Sequence, residues 1–249
     1  MIRKNFLSDS NQNGSGLISE EATLLGCIIK SIMFDLPIFP LNTVLFPGMP
    51  LPLHIFEARY KQMIATCLDN DRIFGVALIK HGSEALGPLA DPYLIGCTAK
   101  ILDSQPLEEG RMQITTVGER RFRILELMHD LPYLVGKVEN HPYELDAPGE
   151  LQLAAQQLNP KVQKYIHLLN QIEAVDLDPG NLPQDPLMLC HLAAALLQMP
   201  PDEKQKLLET GSALELINAT NQVYTREISI LRAIIKRGKD QSKTPVSQN

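Results

Sequence analysis

The sequence predicts an α+β protein in which a β-rich, barrel-like body with one helix inserted early is followed by a helical bundle. Three observations carry this reading. The stretch Leu36 to Leu68 changes from proline-interrupted apolar chain to one amphipathic helix; alternating apolar segments follow between Ile73 and Glu139; and beyond the His141-Pro142 step the apolar spacing becomes helical as far as Ile235. The expected organisation is a flexible or misassigned leader over 1–35, a barrel over 36–145, a helical bundle over 146–238 and a disordered tail over 239–249. With 249 residues and 44% hydrophobic composition, the chain is long enough to bury a substantial core.

In the opening stretch, Pro40, Pro47, Pro50 and Pro52 each lack an amide hydrogen, which argues for short extended pieces joined by turns rather than a continuous central strand. Phe46, Pro47 and Gly48 mark the sharpest turn. From Phe56 the spacing of Phe56, Tyr60, Met63 and Cys67 makes one helical face, with Glu57 and Lys61 spaced to pair on its side. Ile73 to Ile79 reads as a buried strand, Lys80 to Pro92 as a surface loop, and Tyr93 to Asp103 as a sheet strand. A turn at Gly110 leads to a strand with Met112, Ile114 and Thr116 on one side. A further turn is expected at Gly118, before the strand Arg121 to Met128. The apolar period of that strand shifts between Ile124 and Leu125, as at a bulge in a closing sheet. Tyr133 to Glu139 supplies one more strand.

The second half reads as helices. Leu151, Ala154, Ala155 and Leu158 form one stripe, continued by Val162, Ile166, Leu169 and Ile172, with Pro160 either starting a new helix or kinking one. Asp176 to Pro186 is a linker ending in a cap at Asp185 with Pro186 at the first helical position. A short helix begins near Pro201, and Ser212 with Glu215 matches a capping box ahead of the last helix.

Chemistry-bearing motifs are sparse. There is no phosphate-binding glycine loop, no HExxH, no CxxC and no GxSxG elbow. The six histidines, His54, His81, His129, His141, His167 and His191, fall in different elements with no pattern that unites them. Cys27, Cys67, Cys97 and Cys190 are widely spaced, as expected for reduced thiols in the cytoplasm. A net charge of −6 argues against nucleic acid. Glu20 and Glu21 precede the apolar run near the N-terminus, where an export signal would carry basic residues, so no membrane role is expected. No cofactor or metal is expected either. The exposed turn Glu108-Glu109 reads as solvated. Phe46 and Met49, beside the Pro/Gly turn, are apolar side chains suited either to core packing or to capturing a peptide.

Taken together, Phe39-Pro40-Leu41, Phe46-Pro47-Gly48, the run Phe56-Glu57 with Arg59-Tyr60, and the later Gly118, Arg121 and Phe122 resemble the N-terminal substrate-binding domain of ATP-dependent Lon proteases, in the form of a stand-alone LON-domain protein. The resemblance spans roughly Leu36 to Ile235. It implies a PUA-like barrel followed by a helical bundle, with neither the ATPase nor the proteolytic module, and hence a non-catalytic polypeptide-binding or adaptor role. Its partners would be unfolded or extended polypeptides and a protease complex. On this reading Phe46, Met49, Leu51, Leu86 and Leu89 contact peptide, main-chain hydrogen bonds supplying general affinity. Pro40, Pro47, Gly48, Phe56, Glu57, Arg59 and Tyr60 form the structural motif. The alternative is a small molecule or modified nucleoside held in a cup of the PUA-like barrel.

Overall fold

The computed structural model describes residues 33–83, 90–144, 146–172 and 178–241, with backbone alone for 238–241. The strands are β1 (Met33–Leu41), β2 (Pro50–Ile55), β3 (Ile73–His81), β4 (Asp91–Pro92), β5 (Ile95–Pro106), β6 (Met112–Met128) and β7 (Leu134–Asn140). The helices are α1 (Ala58–Leu68), between β2 and β3, then α2 (Pro148–Ile172), α3 (Pro186–Leu196), α4 (Pro201–Leu208) and α5 (Ala213–Gln241). The β-rich body with one early helix, and the helices after it, are thus as the periodicity predicts.

The sheet runs β1-β7-β6-β5-β3 and closes on itself because β3 also pairs with β1, in parallel; β2 adds to β6 and β4 to β3. A five-stranded closure leaves little interior. Phe122 fills it, against Leu36, Ile38, Ala77, Ile124, Leu134 and Val138. Gly75 and Gly96 make the room, since a Cβ at either would lie within 2.7 Å of the Phe122 ring. The shift of period at Ile124 is a register break between β6 and β7 at Ile124/Glu126, where the strand bends to close the barrel.

Prolines do not break the first strand. β1 runs continuously through Pro37 and Pro40 because it changes partner at Ile38: its first part pairs with β7 and its last part with β3. Each proline therefore has one side of the strand without a ladder, where a missing N–H costs nothing. β2 carries Pro50 and Pro52 on the same principle, pairing only with β6.

Gly118 is not a turn. β6 passes straight through it. The glycine is needed because the Phe46-Pro47-Gly48 turn lies on top of it: a Cβ at Gly118 would sit 2.4 Å from the Phe46 carbonyl oxygen. Gly48 N–H donates to the Gly118 carbonyl at 2.8 Å, and Gly118 N–H donates to the Met49 carbonyl at 2.9 Å. Gly48 itself has φ +78 and abuts Met188 of α3, so the turn joins barrel to bundle.

α1 starts at Ala58 with Glu57 as its N-cap residue, and its buried face is Tyr60, Met63, Ile64 and Cys67. Phe56 precedes it and is 48% exposed, contrary to its expected place on that face. Tyr60 stacks on Phe39 of β1, ring centroids 4.1 Å apart. Glu57 pairs with Arg59 at 3.0 Å rather than with Lys61, whose ammonium donates to the Glu109 carbonyl in the β5–β6 turn.

In the bundle, α2 continues unbroken through Pro160. Asp185 caps α3 by accepting from Met188 N–H at 2.8 Å. Ser212 caps α5 through Glu215 N–H, while the Glu215 carboxylate turns back to Gly211 N–H. The expected tail from 239 begins inside α5, and the expected leader, except for Met33 to Asp35 in β1, lies outside the described residues. A large core joins α1 and the outer barrel wall to all four later helices.

Candidate functional site

A cavity of about 610 Å³ opens where the barrel meets the bundle. Its barrel side comes from the Pro47 turn, the middle of β6 and the segment that leaves β7; its bundle side comes from the starts of α2, α3 and α5. The strand period explains what β6 presents. Phe122 points into the barrel, so its neighbour Arg121 points out of it, towards the helices.

Arg121 is 3% exposed, and carbonyls at the junction take up its charge. Its Nε donates to the His141 carbonyl at 3.1 Å, and Nη1 donates to the carbonyls of Leu208 and Thr210 at 2.6 and 2.7 Å, where α4 ends. The guanidinium lies 3.5 Å above the Tyr143 ring. This arrangement clamps the bundle to the barrel from inside the cavity wall. A second tie is Gln205 of α4, whose amide donates to the Ile95 carbonyl of β5 at 2.9 Å.

Tyr143 also meets His191 of α3, its hydroxyl 3.2 Å from Nε2. Burial pulls His191 down to about 4, the nearby Arg121 charge acting in the same direction and Asp185 against it. Burial likewise raises the Tyr143 phenol well above its ordinary range. A protonated phenol facing a neutral imidazole gives one hydrogen bond between the Tyr143 hydroxyl and Nε2, its direction set by the imidazole tautomer. Pro47, Pro142, Leu151 and Leu187 make the rest of the wall apolar, while Glu119, Arg120, Glu144 and Asp146 bring charge to it.

Cys97 and Cys190 are fully buried, and burial holds both thiols protonated, so neither is set up as a nucleophile. Among the described residues no group of His, Cys, Asp and Glu could hold a metal ion. None of the described helices is long and apolar enough to cross a membrane.

Residues 35–224 match the ATP-dependent protease La (LON) substrate-binding domain. The chain belongs to this family. It is 26% identical over 236 residues to a Lon protease of Anaeromyxobacter dehalogenans, covering 92% of this chain and 28% of that one. With Lon protease 2 of Myxococcus xanthus the identity is 28% over 231 residues, 91% of this chain and 28% of the other. The chain thus spans about 28% of the length of these curated relatives. The fold matches the N-terminal domain of a Mycobacterium avium complex Lon protease with a TM-score of 0.60 at 20% identity, over 77% of this chain and 98% of that chain. It also matches a Lon N-terminal domain protein from Xanthomonas campestris with a TM-score of 0.52 at 24% identity, over 74% and 95% of the two chains.

In this LON domain the expected peptide contacts fall differently from the sequence reading. Phe46 is fully buried and Met49 is 8% exposed, so the exposure a peptide contact requires is missing. Both pack in the core that joins the barrel to the helices, because the turn carrying them is pinned against Gly118. Leu51 is half-buried on β2, and its carbonyl accepts from the Thr116 hydroxyl at 2.8 Å. Leu86 and Leu89 lie outside the described residues. The free edge of β2 is a poor template for main-chain hydrogen bonding, since Pro50 and Pro52 remove two donors from one rail of the strand.

The structural motif assembles around α1 and the turn. Pro40 lies in β1, Pro47 and Gly48 form the turn, and Glu57, Arg59 and Tyr60 cluster at the start of α1. Arg59 also lies 4.7 Å from the centre of the Tyr60 ring. Sequence reasoning does not find Tyr143, Leu187 or the placing of His141 and His191, 50 positions apart, on the wall of one cavity. The one usable signal is Arg121, already part of the family resemblance.

Proposed function

We propose that this chain is a non-catalytic polypeptide-recognition module, acting as an adaptor for extended apolar segments of unfolded proteins and working with a protease complex in the cytoplasm. Membership of the LON substrate-binding family supports the recognition role. The observation that carries the site is the apolar-walled cavity between barrel and bundle, about 610 Å³, within the range of roughly 300–1,000 Å³ typical of ligand pockets. The alternative of a nucleoside cup within the barrel is disfavoured because Phe122 and its neighbours occupy the barrel interior.

The test is the binding of a reduced, carboxymethylated and therefore permanently unfolded protein, followed by fluorescence anisotropy. The native form of the same protein serves as control. Unfolded polypeptide should bind and native protein should not, and Leu187→Arg, which puts a charge into the apolar wall, should abolish binding while leaving the circular dichroism unchanged. Equal binding by the folded Leu187→Arg variant would remove the cavity from the mechanism.

A further inference from the structure

Arg121 has more donors than the junction uses. Its Nε and Nη1 serve three backbone carbonyls, whereas Nη2 is buried and meets no acceptor. Among the described residues no carboxylate pairs with this guanidinium, although it is only 3% exposed and burial disfavours its charge. A buried cation ordinarily keeps a counter-ion, because carbonyl dipoles satisfy its N–H groups without cancelling its charge. The carboxylates that line the cavity are engaged or solvated: Glu119 pairs with Lys100 at 3.8 Å, Asp146 accepts from Leu214 N–H at 2.8 Å, and Glu144 is exposed. Arg120 lines it too, and Arg123 adds a third guanidinium nearby, 3.3 Å from His141 Nε2. His191 is the second group with an unused atom. It is 2% exposed, lines the same cavity and leaves Nδ1 without a partner while Nε2 meets the Tyr143 hydroxyl. The tautomer with its proton on Nδ1 offers a donor there.

We propose that the cavity binds a small carboxylic acid with a compact apolar or aromatic body, its carboxylate serving as the counter-ion of Arg121 and its body lying against Pro47, Pro142, Leu151 and Leu187. A carboxylate suits the guanidinium because both are planar and the hydrogen bonds between them are charge-assisted. The body gains by leaving water against the apolar wall, a gain that an inorganic anion cannot make. His191 Nδ1 supplies a donor for a further polar atom of the ligand. This goes beyond polypeptide recognition, and a bound acid would occupy the wall that an extended segment needs. The C-terminal residue of a polypeptide presents the same chemistry, so the test separates a small acid from a chain end.

The protein has no tryptophan, so indole emission reports an added ligand alone. Indole-3-propionate and its neutral amide, indole-3-propionamide, form the first pair of probes; a short acetylated Ser/Ala peptide ending in tryptophan, as free acid and as amide, forms the second. Indole-3-propionate should bind about tenfold or more tightly than its amide, and its excess should raise the Tm. Leu187→Glu puts a carboxylate into the wall in the first turn of α3, where a glutamate suits the helix; it should abolish binding of the acid with the circular dichroism unchanged. Arg121→Met, assayed in the cold where it remains folded, should bring the acid down to the affinity of the amide. Equal affinity for acid and amide, acid binding that survives both substitutions, or no binding of the acid at millimolar concentration would overturn the proposal. Tighter binding of the peptide acid than of indole-3-propionate, lost on amidation, would give the site to chain ends and overturn it as well. In each of these cases, binding of unfolded polypeptide that Leu187→Arg abolishes would leave the recognition reading standing.

Discussion

Replacing Arg121 with methionine tests whether the guanidinium joins barrel to bundle. The substitution keeps an unbranched, flexible but shorter side chain and removes the donor from three carbonyls, at 3.1, 2.6 and 2.7 Å. A hydrogen bond from a charged donor contributes roughly 1.5–3 kcal/mol, so the gross loss is about 5–9 kcal/mol. Part of this returns because the unfolded chain no longer has to dehydrate a guanidinium, a cost of several kcal/mol. The net destabilisation is about 3 kcal/mol, read as a lower urea midpoint at unchanged slope, or as a fall in Tm of about 6–12 °C for a chain of this size. Arg121→Lys sharpens the test, since an ammonium keeps the charge but cannot reach carbonyls on both sides of the fork, and it should destabilise at least as much. A methionine variant as stable as the parent would mean that dehydration already cancels the hydrogen bonds. The clamp would then contribute nothing to holding the two layers together.

Three other expectations follow from the same packing. Gly118→Ala forces a Cβ to within 2.4 Å of a backbone oxygen and should cost about 2 kcal/mol or more, because the Phe46 carbonyl cannot move without releasing the turn; a neutral effect in urea unfolding would show that the turn is not pinned there. Arg59→Ala, which breaks the pair with Glu57 and the contact with Tyr60, should lower thermal stability by about 1–2 kcal/mol while leaving peptide affinity intact in the folded variant, and the reverse ordering would refute a purely structural role. His191 is held neutral with its folded value near 4, below the ordinary 6.5, so the unfolded chain takes up its proton first; stability present above about pH 6.5 should be lost as pH falls towards 4, by up to about 3 kcal/mol. That loss should be missing from His191→Gln in denaturant titrations across pH, and parallel curves for the two proteins would refute the assignment.

Much of the fold was legible because it rests on local periodicity. The bulge at Ile124, the caps at Asp185 and Ser212 and the buried Tyr60, Met63 and Cys67 of α1 all follow from residue spacing within one element. The misreadings share a different cause, in that they concern what lies against an element from elsewhere in the chain. Gly118 looks like a turn in sequence because glycine usually marks one, yet it is glycine here to admit the backbone of Phe46. Pro40 looks like a strand breaker until the partner exchange at Ile38 frees one side of the strand. The cavity was hidden for the same reason: Arg121, Tyr143 and His191 belong to β6, to the segment after β7 and to α3, and no spacing rule relates them.

The same non-local contacts explain why the Phe46-Pro47-Gly48 turn is characteristic of the chain without offering its apolar side chains to a partner. Phe46 is buried with its ring 6.2 Å from that of His191, Gly48 abuts Met188, and Pro47 remains as the one residue of the turn that lines the cavity. A turn used in this way must be rigid, since it sets the separation of two walls that belong to different layers. Arg121 sets that separation from the opposite direction, reaching from β6 to the end of α4. Between these two fixed points the wall residues Leu151 and Leu187 stand on helices and Pro142 on the connecting segment. The shape of the cavity is therefore coupled to the docking of the bundle, and a substitution that loosens docking should weaken peptide binding even where it touches no peptide. Gly118→Ala is the decisive case because it lies outside the cavity lining: in molecules that remain folded, its peptide affinity should fall together with its stability, whereas Arg59→Ala should lose stability alone.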